Sequence, residues 1–203
     1  MPLVPLASVD GASLRWLRTL DSPAGFTLYS GDQAVAEVTW ATAKGSRARA
    51  MIAEGSWTLK RAGFLLPHLT LRVEGASNDA AQITVHADIR ADLARSEITA
   101  GRFGDNYHRV DFVSGAKFRF SRTGVQTPAW KVRTDAGVEV AHIEPLREGR
   151  KLTSAAVIVS PEGSAHPELL AVLVFTWYFI VLAWFEDEIL APLERMMSDL
   201  ERR

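Results

Sequence analysis

The chain has 203 residues, 47% of them hydrophobic and 23% charged, so it is long enough to bury one large core and too apolar to be a disordered segment. It holds no cysteine, which excludes disulfide scaffolds, thiol catalysis and cysteine-ligated metals. The formal net charge is −1; residues 1–160 carry 20 Lys and Arg against 16 Asp and Glu, and residues 161–203 carry 3 against 8, an asymmetry too mild to announce nucleic-acid binding but one that leaves room for a local basic patch on the β portion.

Met1 to Asp10 has no basic stretch followed by an apolar core, so no secretory signal is expected, and a cytoplasmic location, peripheral to a membrane, is the working expectation. From about residue 26 to residue 160, apolar and polar residues alternate in short runs bounded by Gly, Pro, Asn, Asp or Ser, which is the period of half-buried strands. Ala36, Val38 and Trp40 form an inward set, followed by Trp57 and Leu59, by Leu69, Leu71 and Val73, and by Ile83, Val85, Ala87 and Ile89. Gly75-Ala76-Ser77-Asn78-Asp79 and Gly104-Asp105-Asn106 read as turns. Phe118 and Phe120, Trp130 and Val132, Val138 and Val140, and Ala155, Val157 and Val159 complete the series, for roughly ten to twelve strands. Residues 55–63 are echoed by residues 128–137, each with a Trp, an aliphatic residue two positions on, adjoining basic residues and a Gly turn; duplication and chance both produce such an echo.

Leu169 to Phe185, LLAVLVFTWYFIVLAWF, is uncharged and apolar on every face. A helix of that kind must be enclosed by lipid or by protein. Its flanks are acidic, its nearest cations are Lys151 and Arg195, and Trp177 sits mid-run, none of which suits a membrane span. Seventeen helical residues measure about 26 Å, strands of six to eight residues roughly 20–26 Å, and a closed sheet of about twelve strands has a lumen that a helix fills. The expectation is a mainly β protein: a closed antiparallel β-barrel of about 12 strands around a buried hydrophobic C-terminal helix. Residues 1–188 would form this single domain, with the central helix near 167–187 and no transmembrane segment. Residues 189–203 would form a short amphipathic helical tail, Ile189, Leu193, Met196 and Leu200 on one side, that caps the barrel or supports a homodimer.

The Trp-x-aliphatic-basic segments Trp57 to Arg61 and Trp130 to Arg133, the Gly-rich turn at Gly101 to Asn106 and the Pro-initiated apolar helix Pro167 to Phe185 together resemble the tubby C-terminal-like superfamily, which includes tubby-like proteins, plant LURP-one-related proteins and phospholipid scramblases. The resemblance covers about residues 12–188 in outline, and the tail after the helix departs from it. It implies a closed barrel threaded by the helix and phosphoinositide binding through basic residues of the barrel surface, without a residue-by-residue correspondence.

No phosphate loop, nucleophile elbow or His-Glu-x-x-His helix is present, and no cofactor or metal is expected. Asp105, Asn106, Tyr107, His108, Arg109 and Asp111 collect acids and an imidazole in one segment, but turn chemistry accounts for its start. His86 and Asp88 share a strand face and lack a third ligand. Lys117, Arg119, Arg122, Lys131 and Arg133 are the candidate ligand-binding residues, as cations on adjacent strands that could hold a phosphorylated headgroup; charges that merely keep an outer face soluble are the competing reading. The sequence thus points to a non-enzymatic binding or scaffold module for anionic phospholipid headgroups. The alternatives are a tail-anchored membrane protein with a cytoplasmic β domain and scramblase-like lipid handling, or an enzyme using Asp105 and His108.

Overall fold

A computed structural model of the protein describes residues 2–21, 23–42, 45–62, 68–84, 107–123, 129–149 and 151–201. After a single 3-10 turn at Leu6–Ser8 come β1 (Ser13–Asp21), β2 (Ala24–Ser30), β3 (Gln33–Trp40), β4 (Arg47–Ile52), β5 (Gly55–Ala62) and β6 (His68–Val73). They are followed by β7 (Ala81–Thr84), β8 (His108–Phe112), β9 (Lys117–Thr123), β10 (Ala129–Thr134), β11 (Glu139–Glu148) and β12 (Lys151–Val159), then α1 (Pro161–Ser164) and α2 (Leu169–Glu201). Every strand pairs antiparallel with its neighbours in the chain, and β1 also pairs with β12 from Ser13↔Ile158 to Leu17↔Ser154, so the strand order returns to its start. Twelve strands about 4.8 Å apart and tilted by about 40° make a ring roughly 24 Å across between backbones. That width holds one helix with a single layer of side chains around it.

The helix occupies that space. Its residues from Val172 to Ala183 are buried on every side. Trp177 stacks on Trp16 of β1, with ring centroids 5.4 Å apart and planes 7° from parallel, and meets Phe26 of β2 edge-on at 5.2 Å. Tyr178 lies 5.9 Å from Trp40 of β3, and Phe179 lies 5.0 Å from Phe120 of β9 and 5.5 Å from Trp130 of β10. Three consecutive residues, about 100° apart around a helix, thus reach three different parts of the wall. Among the described residues, no helix is long and apolar enough to cross a membrane. The apolar run from Val172 to Ala183 is buried against the strands.

The helix enters at the inlet end, where β12 finishes, and leaves at the outlet end. At the inlet, Ser160 caps α1 by accepting from the Gly163 N–H at 3.0 Å. Gly163 lies so close to the carbonyl of Val140 that a Cβ there would collide with it. The Ser114 hydroxyl, in the β8–β9 turn, donates to Glu168 Oε1 at 2.6 Å, and His166 Nδ1 stands 3.0 Å from Glu168 Oε2, which ties the start of α2 to the rim.

Several expectations need correction. Strand pairing begins at Ser13, not near residue 26; Leu14 and Trp16 face inward, Leu17 has the outward parity, and a bulge between Arg18 and Leu20 breaks the alternation and leaves Leu20 exposed. Val73 and Val138, read as inward, are 43% and 45% exposed, the first at the end of β6 and the second in the turn before β11. A bulge facing Val132 and Arg133 then lets both Val140 and Ala141 be buried. The central helix does not end near residue 187, since α2 runs unbroken to Glu201; the side chains of the proposed tail, Ile189, Leu193, Met196 and Leu200 among them, lie outside the described residues. So do Val85, Ala87 and Ile89 and the turn at Gly101 to Asn106. The two echoed Trp segments fall on β5 and β10, an odd number of antiparallel steps apart. They run in opposite directions, so no rotation about the barrel axis superimposes them.

Candidate anion-binding surfaces

Strand alternation decides which cations share a face. On β9, Phe118 and Phe120 are fully buried, so Lys117 and Arg119 point outward; on β10, Trp130 and Val132 point in, and Lys131 and Arg133 out. Four of the five sequence candidates therefore share the outer wall. Arg122 does not. It pairs in register with the inward Trp130 and has the parity of Phe118 and Phe120, which places it on the inner face near the outlet end.

The register builds more than the sequence promised. Arg109 on β8 stands opposite Arg119 on β9, and Arg119 opposite Arg133 on β10, so three guanidinium side chains form one row across three strands. Carboxylates share this wall. Arg109 Nε lies 2.9 Å from Asp111, Arg119 donates to Asp135 at 2.6 and 3.0 Å, and Lys131 Nζ lies 3.0 Å from Glu139. The hydrogen bond from Arg119 holds the Asp135 carboxyl below the usual carboxylate range and raises the guanidinium in turn. Arg119 also covers the Tyr107 ring at 4.7 Å, a cation–π contact that fixes its direction. Among the described residues, Lys117 and Arg133 have no carboxylate within ion-pair distance, although Lys117 stands in register with Asp111 and acts on Asp135, and Arg133 stands in register with Glu139. The wall is thus part self-neutralised and part open to an external anion.

Among the described residues, the other constellations do not assemble a reaction centre. His108 is 5% exposed and turned into the core, 4.5 Å from Phe179, 5.0 Å from Phe120 and 6.2 Å from Trp130 by ring centroids. Its proposed partner Asp105, with Asn106, and the pair His86 and Asp88 lie outside the described residues. Ser114, Glu168 and His166 have the composition of a hydrolytic triad but not its order, because the hydroxyl donates to the carboxylate and the imidazole has no contact with it that would take its proton. His142 stands 3.2 Å from Glu144 and 3.8 Å from Glu139. Among the described residues, no group of His, Asp and Glu side chains could hold a metal ion.

Sequence reasoning missed Arg109 as a member of the row, and it missed a second outward pair, Arg47 on β4 directly opposite Lys60 on β5. Strand register was the absent signal: the residues of each set are far apart in sequence or separated by a turn, and only pairing brings them level. No family model, curated protein or solved structure matches the chain.

Proposed function

We propose that the protein is a non-enzymatic binding module, a closed barrel plugged by its own helix, whose β8–β10 wall binds phosphorylated headgroups of anionic phospholipids. The observation that carries this reading is the row Arg109, Arg119 and Arg133 in direct register, with Lys117 beside it. Like charges directly opposed on a sheet are unfavourable, and a phosphate above the row offsets that repulsion by accepting charge-assisted hydrogen bonds from several guanidinium groups at once. Lys117 and Arg133 have their donors available for it. The aromatic packing around α2 leaves the lumen to the helix, so a ligand is met on the outside. The sequence resemblance to the tubby-like superfamily points the same way.

Cosedimentation with vesicles tests the proposal. The protein should bind phosphatidylcholine vesicles only when they contain a phosphatidylinositol phosphate, and binding should weaken as salt rises. At about 1 kcal/mol per surface cation, Lys117→Gln with Arg133→Gln should lower affinity roughly thirtyfold. Unchanged binding by that double variant, or equal binding to pure phosphatidylcholine, would refute the assignment.

A further inference from the structure

The wall of β4 and β5 repeats the same electrostatic situation elsewhere on the ring. Arg47 and Lys60 are directly opposed in the β4–β5 register, both side chains are exposed, and both have the outward parity opposite to the buried Ala48, Ala50 and Leu59. Side chains so paired start from Cβ atoms about 4.5–5.5 Å apart, where like charges repel. Their cationic neighbours nearer the inlet are already taken: Arg49 lies 2.6 Å from Glu74, and Arg72 lies 2.9 Å from Asp79. Among the described residues, Arg47 and Lys60 have no carboxylate within ion-pair distance, so the uncompensated charge of this wall collects at its outlet half.

Ring order then fixes where this pair faces. Five strand steps separate the β4–β5 pair from the β9–β10 pair in a cycle of twelve. For evenly spaced strands that is roughly 150° around the barrel, so one flat surface cannot cover both walls. We infer that Arg47 and Lys60 form a second position for anionic phospholipid headgroups, and that one molecule bridges two anionic lipid surfaces, one on each wall. The bridging role rests on the headgroup reading of the β8–β10 wall; the second position does not.

Dynamic light scattering of vesicles tests bridging, and cosedimentation of the same samples reads binding separately. The full chain should increase the apparent size of vesicles containing a phosphatidylinositol phosphate severalfold at low protein-to-lipid ratio, and excess protein should reverse this by saturating each vesicle. Arg47→Gln with Lys60→Gln, both at exposed positions, should abolish the size increase while the protein still cosediments. Lys117→Gln with Arg133→Gln should also abolish it, and the binding that remains should be lost when the two double variants are combined. Clustering that survives in the Arg47 and Lys60 variant overturns the inference, since it would then come from association between protein copies. Binding without clustering by the unaltered chain overturns the bridge and leaves the β8–β10 site standing. Unchanged binding in the Lys117 and Arg133 variant, with loss in the Arg47 and Lys60 variant, overturns the first reading and keeps the second position.

Discussion

Trp177 offers the sharpest test that the strands enclose the helix. It is fully buried, stacked on Trp16 and met edge-on by Phe26. Truncating a core Trp to Ala removes about 3–5 kcal/mol, and the two ring contacts place this site in the upper part of that range, at about 0.5–1.5 kcal/mol each beyond buried area. One term opposes it. Among the described residues, Trp177 Nε1 has no hydrogen-bond partner, so deleting the indole also removes a buried N–H whose desolvation costs about 1–3 kcal/mol. The net expectation is a loss of about 3 kcal/mol for Trp177→Ala, a large fraction of the roughly 5–15 kcal/mol that holds a domain together. Trp177→Phe keeps an aromatic ring and discards the unpaired N–H, and should cost about 1 kcal/mol or less. Urea unfolding followed by far-ultraviolet circular dichroism measures both. A loss within about 0.5 kcal/mol for the Ala variant, with an unchanged denaturant slope, is what a surface position gives and would refute enclosure of the helix.

Two further outcomes follow from the packing. Burial raises the Tyr178 hydroxyl above the usual phenol range, so the folded chain holds that proton more tightly than the unfolded chain, in which tyrosine titrates near pH 10. Stability should be untouched by this group below about pH 10 and fall as pH rises beyond it; Tyr178→Phe should remove that alkaline slope while losing about 1 kcal/mol at neutral pH with the hydrogen bond to the Ser46 carbonyl. Urea midpoints compared at about pH 8 and about pH 11 decide it. Gly163→Ala forces a Cβ into the Val140 carbonyl and should lower the melting temperature by several degrees, as about 1–3 kcal/mol of overpacking does; an unchanged melting curve would show that α1 is not held against β11.

The strands that sequence revealed are those whose inward residues are large. Phe118 and Phe120, Trp130 and Val132, and Val38 and Trp40 produce the hydropathy alternation because they must fill the space around α2. β4 escaped notice because its inward residues are Ala48 and Ala50, too small to register as apolar peaks. β1 escaped because a bulge breaks its period midway. The helix was legible because an apolar run without a polar stripe has few physical solutions. The candidate surface was half legible: composition and parity identified Lys117, Arg119, Lys131 and Arg133, but Arg122 sits an odd number of residues from its neighbours and turns inward. Arg109, Arg47 and Lys60 needed the register itself, which local sequence does not encode.

The enclosure of α2 also orders events in time. Synthesis makes the twelve described strands before the segment they surround, so the nascent sheet has its inward Trp and Phe residues and nothing yet to pack them against. Contacts such as Trp16 with Trp177 join residues at opposite ends of the sequence, and loops that long close slowly. Until α2 arrives, the exposed inner face is a site for chaperones or for aggregation, and a chain that stops short of Leu169 should remain in that state.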